Sequence, residues 1–174
     1  MKINAAFEKV SYDIYKQSFE CSEDEIKASY NAIKLPCRAT RGSAGYDFFT
    51  QTPIVVPKGG SVVIPTGIRC RMPEGWVLML FPRSGLGFKF GLRLANTTGV
   101  IDQDYYYSYN EGHIMVKLIN DSSIGKDVQL SPGSAFCQGV FLQYGVISDD
   151  RTDTIRNGGF GSSGRAPGGN SALV

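Results

Sequence analysis

The sequence predicts an all-β protein: a barrel or sandwich of short strands, with one short N-terminal helix and a glycine-rich C-terminal arm. Three observations carry this reading. From Leu35 onward, short apolar or alternating runs rich in Val, Ile and Phe are separated by Gly and Pro, the pattern of an all-β fold. The run "WVLMLF" (76–81) is continuously apolar, as a strand buried on both faces must be. One segment alone has clear helical periodicity.

That segment is "CSEDEIKASYNAIKLP". Ser22 can serve as N-cap with Glu25 three residues later, a capping box. Ile26, Tyr30 and Ile33 fall at i, i+4 and i+7, which makes one apolar stripe. The expected helix covers about 23–34, is stopped by Pro36 and packs on the domain surface. The strand candidates follow: "TPIVVP", "SVVIPTGIRCRMP", "WVLMLFP", "HIMVKLIND", "DVQLSPG" and "AFCQGVFLQYGVI". The tail 156–174, "RNGGFGSSGRAPGGNSALV", holds six glycines and few aliphatic residues. It cannot bury enough surface to fold alone, so it is expected to be a mobile arm that orders on a ligand or partner. The whole, 1–174, is expected to be a single domain with an N-terminal extension at 1–34.

Composition narrows the function classes. The chain has 174 residues, enough to bury roughly 70% of its unfolded surface. A net charge of +2 gives no case for nucleic acid or a membrane surface. No apolar run approaches the ~20 residues of a membrane helix, and "MKINAAFEKVSYDIY" has no signal-peptide core. The expected location is the cytoplasm. Cys21, Cys37, Cys70 and Cys137 form no CxxC pair, and one histidine cannot complete a zinc site. Reduced, mostly buried thiols are expected.

Four stretches could carry chemistry. "GVIDQDYYYSYNEGHI" (99–114) gathers two aspartates, four tyrosines and His113. It fails the calcium-loop pattern at the fifth, sixth and twelfth positions. A metal site of two Asp and one His remains open on motif alone. The other reading is a turn in which Asp102 activates water and the Tyr105 ring lies against a substrate. Asn96, in the same hairpin, can read a base edge. "PRSGLGFKFGL" (82–92) is either a phosphate cradle or a glycine turn with a solvated Arg. In "RNGGFGSSG" (156–164), Phe160 has no apolar neighbours. A ring beside anion donors suggests a lid over a nucleotide; a low-complexity tail is the alternative.

Taken together, these stretches resemble the trimeric dUTP diphosphatase (dUTPase) family. Five motifs occur in the family's order: "AGYDFFT" (44–50), "PRSGLG" (82–87), "NTTGVIDQDY" (96–105), "PGSAFCQGVF" (132–141) and "RNGGFGSSG" (156–164). The resemblance implies a dUTPase-like jelly-roll β-barrel, assembled as a homotrimer with sites at subunit interfaces. It implies Mg²⁺-dependent cleavage of dUTP to dUMP and pyrophosphate, which limits uracil in DNA and supplies dUMP. The metal would bind the triphosphate and water rather than protein groups. By this resemblance Asp102 is the general base. Asn96 and the backbone near Gly99 read uracil, and Tyr105 packs on the deoxyribose. Arg83, Ser84, Gly85 and Gln138 hold the phosphate chain. Phe160 stacks on the base with Gly161 beside it, Arg156, Ser162 and Ser163 engage the γ-phosphate, and Asp47 orders the site.

The chain departs from the family pattern in three places. Gly112 stands seven residues beyond Tyr105, so "YYYSYNE" is expected to lengthen a hairpin outside the site, at its rim or near a subunit contact. Arg156 is four residues before Phe160, one fewer than in many members. The N-terminal segment is longer than a minimal member needs. Asp104 is expected to stabilise a turn, and His113 to do no chemistry. Two rival readings remain: a dCTP deaminase on the same fold, and a regulatory protein whose tyrosine-rich insert and N-terminal helix meet a protein partner.

Overall fold

A computed structural model of the chain describes residues 2–122, 125–153 and 156. Its N-terminal extension holds β1 (Ala6–Lys9), α1 (Tyr12–Lys16) and α2 (Glu23–Asn31). Then come β2 (Cys37–Arg38), β3 (Tyr46–Phe49), β4 (Ile54–Val56), β5 (Ser61–Pro65), β6 (Ile68–Arg71) and β7 (Trp76–Pro82). A short helix α3 (Ser84–Phe90) leads to β8 (Leu92–Leu94) and β9 (Gly99–Ile101). A 3₁₀ turn (Gln103–Tyr107), β10 (Met115–Asn120), β11 (Val128–Leu130) and β12 (Ala135–Gln143) complete the described elements.

The strands form a five-stranded sheet ordered β2-β3-β12-β7-β9, a three-stranded sheet β5-β10-β8, and the pairs β11-β4 and β1-β6. All these pairings are antiparallel. The continuously apolar run became β7, a central strand with Val77, Leu78 and Leu80 buried. Phe48, Phe136, Ile64, Leu78, Leu92, Ile114 and Leu118 form the core between the sheets. Each such side chain contributes about 1.5–3 kcal/mol by leaving water.

The N-terminal extension is part of this core rather than a surface addition. Val10 and Tyr15 are fully buried in the same cluster, and the Tyr15 hydroxyl meets Ser29 Oγ at 2.6 Å. The capping box forms as expected: Ser22 Oγ accepts from Glu25 N–H, and the Glu25 carboxylate accepts from Ser22 N–H. The helix stops at Asn31, short of 34. Ile33 N–H donates to Tyr30 C=O, so the last turn tightens toward 3₁₀ geometry and still delivers Ile33 to the core.

The cysteine expectation holds for two of four. Cys70 and Cys137 are buried, whereas Cys21 and Cys37 are exposed. Burial pushes the Cys70 thiol up to about 12 and Cys137 higher still, so neither buried thiol is a nucleophile. No described helix is long and apolar enough to cross a membrane.

Gly67 is where the extension meets the barrel. Its φ is +68°, and a Cβ there would lie 2.4 Å from Ile33 Cδ1 and 3.1 Å from the Tyr15 ring. Its carbonyl accepts from Val10 N–H, and its own N–H donates to His113 Nε2 at 2.9 Å. His113 is buried, and that burial pushes its pKa down to about 4. It therefore accepts this bond as a neutral ring.

Two outcomes follow. Gly67→Ala should lose about 1–3 kcal/mol from backbone strain alone, before overlap with Ile33, and its thermal midpoint should fall by several degrees; an unchanged midpoint would contradict this packing. For His113, the stability of the neutral ring is fully present above its unfolded pKa of about 6.5 and is lost as pH falls toward about 4. Chemical denaturation from pH 7.5 to 4.5 should show wild type losing up to about 1.4 kcal/mol per pH unit that His113→Gln does not lose. Parallel curves would show that the ring is not held neutral.

Candidate active site

Strand β9 runs straight into Asp102. That residue has extended backbone and caps the 3₁₀ turn through its carbonyl, which accepts from Tyr105 N–H. Its side chain makes no capping hydrogen bond, so the carboxylate is left for other partners. Asp102 lines a cavity of about 510 Å³ together with Asn96, Gly99, Tyr105, Arg156 and the apolar Leu80 and Leu94. Volume and lining suit a small ligand: mostly apolar walls with a few convergent polar groups.

Each wall has a local cause. Asn96 sits on the tight β8–β9 turn, where Thr97 adopts φ +63° and Thr98 N–H donates to Asn96 C=O at 2.6 Å. Left-handed backbone at a non-glycine residue costs energy and concentrates at functional sites. Tyr105 is buried. Its hydroxyl donates to His113 C=O and accepts from Asn110 Nδ2, both at 2.8 Å. Burial is the main reason its pKa is raised. With the phenol oxygen occupied on the far side, the ring is what the cavity meets.

Arg156 pairs with both aspartates of the turn. Its Nη2 contacts Asp102 Oδ2, and its Nε donates to Asp104 Oδ1 at 2.9 Å. Asp104 is therefore an ion-pair partner at the cavity, not only a turn residue. The sequence signal was the Asp-x-Asp spacing, which puts two carboxylates on one short turn.

A second group lies where β3, β12 and β7 end. Gln138 on β12 stands opposite Asp47 on β3, and Asp47 is buried. Arg83 Nε lies 3.4 Å from Asp47 Oδ1. Gln138 Nε2 donates to Pro82 C=O at 3.4 Å. Its Oε1 occupies the space of a Cβ at Gly45, 2.3 Å away, so glycine in "AGYD" is what admits this side chain. Arg83, Ser84 and Gly85 line a separate hollow of about 380 Å³ with Lys89 and Phe90. "SGLGFKF" is thus a short helix rather than a glycine turn. Lys89, four residues beyond Gly85, is a cation that motif reading passed over.

The expected residues therefore fall into two groups. Asn96, Gly99, Asp102, Tyr105 and Arg156 share one cavity; Arg83, Ser84 and Gly85 share another, beside Asp47 and Gln138. The two hollows have no lining residue in common. Phe160, Gly161, Ser162 and Ser163 lie outside the described residues. The insert "YYYSYNE" does not extend a β-hairpin. It completes the 3₁₀ turn and folds back through further turns, leaving Tyr107 and Tyr109 exposed. Its run of short-range carbonyl acceptors, Ser108 N–H to Tyr105 C=O and Glu111 N–H to Ser108 C=O, explains the compact shape. His113 lies behind Tyr105 and holds Gly67. Among the described residues no group of three His, Cys, Asp or Glu could hold a metal.

The dUTPase family profile matches residues 31–166. A deoxyuridine 5'-triphosphate nucleotidohydrolase from Lactococcus lactis is 38% identical over 145 residues, covering 80% of this chain and 95% of its own. One from Orientia tsutsugamushi is 36% identical over 150 residues, covering 80% and 97%. The crystal structure of dUTPase from Streptococcus mutans superposes with a TM-score of 0.63 at 35% identity, covering 82% of this chain and 98% of that one. The mostly-β architecture is that of the jelly-roll barrel expected from the motifs. The match over most of the chain, at this identity, shows that this chain belongs to the dUTPase family.

Proposed function

We propose that this chain is a dUTP diphosphatase that hydrolyses dUTP to dUMP and pyrophosphate. The observation that carries the reading is one cavity bordered by a base-reading amide (Asn96), a ring wall (Tyr105) and a carboxylate left uncapped (Asp102). Asn96 and the backbone around Gly99 hold uracil. The anchored Tyr105 ring leaves no room for a ribose 2′-hydroxyl. Asp102 takes a proton from a water. The water oxygen attacks the α-phosphorus in line, and the bond to the bridging oxygen breaks to release pyrophosphate. Such transfer depends on positioning and charge neutralisation.

Arg83, Ser84, Gly85 and Gln138 bind the phosphate chain, with Asp47 fixing the Arg83 side chain. Mg²⁺ would be held by the triphosphate and water rather than by protein side chains, and would supply neutralisation of phosphate charge there. Arg156 is paired with Asp102 and Asp104. The polyanionic triphosphate competes for that guanidinium and draws it toward the phosphates, which releases Asp102 for proton transfer. Phe160, Gly161, Ser162 and Ser163 of the arm cover the bound nucleotide. The phosphate group and the base pocket line separate hollows of one chain, which supports a site completed by a second copy. A homotrimer supplies it.

Asp102→Asn should fold and bind a non-hydrolysable dUTP analogue as wild type does, while losing roughly 10²–10⁴ in turnover. A near-normal rate in a pyrophosphate-release assay would remove Asp102 from that role. In a nucleotide panel with Mg²⁺, hydrolysis should be confined to dUTP. Release of dUTP or dUMP from dCTP would instead establish the deaminase reading.

A further inference from the structure

Residues 6–11 precede the family-matched region 31–166, and residues 106–111 stand within it. The two segments are bound to each other. Tyr106 Oη donates to Glu8 Oε2 at 2.7 Å. Arg69, directly opposite Glu8 in the β1–β6 pair, contacts the same carboxylate at 3.2 Å. Its guanidinium lies 4.5 Å from the Tyr106 ring centre. At the far end of the insert, Glu111 adopts φ +56°, a costly conformation for a side chain of this kind. Its carboxylate accepts from Ser11 N–H at 2.7 Å and lies 3.9 Å from Arg69. Burial pushes this carboxyl up, but the Ser11 N–H and Arg69 more than offset it.

The first fastening directly follows residues that border the base pocket: Asp102 and Tyr105 line it, and Tyr106 comes next in the chain. A five-residue 3₁₀ turn has poor hydrogen-bond geometry of its own and needs outside support to hold a fixed shape. Asp102 starts this turn, and Tyr105 is the neighbour of Tyr106. We infer that Glu8 of the N-terminal extension is a positioning residue for the reaction: through Tyr106 and Arg69 it braces the turn that carries Asp102 and Tyr105. The inference rests on the dUTPase reading, since it assigns the brace to the selectivity of that site.

The test is the ratio of kcat/KM for dUTP over UTP in full-length wild type, Glu8→Ala, Tyr106→Phe and the double variant. This ratio does not depend on how much enzyme is folded, so a merely structural role would leave it unchanged. Each single variant should lower it about five- to tenfold by loosening the Tyr105 wall. The double variant should fall no further than the worse single, because both remove one shared interaction. Should Glu8→Ala fail to fold, Tyr106→Phe, which keeps the ring under Arg69, decides alone. An unchanged ratio in folded variants overturns the brace while leaving the dUTPase reading intact. A wild type that does not hydrolyse dUTP overturns the reading and the brace with it.

Discussion

Strand β7 is the constraint on which the rest of the molecule depends. On one side it pairs with β12 from Cys137↔Pro82 to Gln143↔Trp76. On the other it pairs with β9 through Leu80↔Gly99 and Leu78↔Ile101. A one-residue slip in either register would turn every side chain to the opposite face. Such a slip would take Gln138 from beside Pro82 and displace Asp102, one residue past Ile101. Buried Val77, Leu78 and Leu80 fix the strand in the core. Ordinary hydrophobic patterning thus determines where the polar groups stand.

Charge is arranged to be redistributed rather than neutralised for good. Arg156 lies against two carboxylates, and Arg83 against one. The Arg156 pairs are partly exposed, where such pairs are worth little. A triphosphate can therefore displace them at small cost. The neutral groups behind the cavity contrast with this. The Tyr105 hydroxyl, Asn110, His113 and Gly67 form a buried chain of hydrogen bonds that holds the ring wall rigid. The movable partners face the ligand and the fixed ones face the core.

Much of this was legible in the sequence because it is local. The capping box is three residues long, β7 is one uninterrupted apolar run, and "NTTGVIDQDY" sets the turn at Asn96 and the carboxylate at Asp102 within seven residues. What escaped depends on distant partners. Nothing in "AAFEKVSYDIY" shows that Tyr15 will be wholly buried against Gly67, since that contact spans fifty-two residues. "SGLGFKF" reads as a glycine turn because glycine disfavours helix, yet the Arg83 carbonyl accepts from both Leu86 and Gly87 and closes a helical turn. The seven-residue distance from Tyr105 to Gly112 reads as a longer hairpin; the Glu8 and Ser11 contacts that fold this segment back come from the other end of the chain. Asp104 was visible as a residue, but its partner Arg156 lies fifty-two positions away.

The central claim is that each site takes its base pocket from one chain and its phosphate group from another. Subunit mixing tests it most directly. Asp102→Asn inactivates the first half and Arg83→Ala the second, and each variant alone should be inactive. After equimolar unfolding and refolding together, each half is intact with a chance of one half. About a quarter of the sites should then be whole and about a quarter of wild-type activity should return. Activity that stays at the level of the single variants, while mass spectrometry shows mixed oligomers, would place both halves of the site in the same chain and contradict the account.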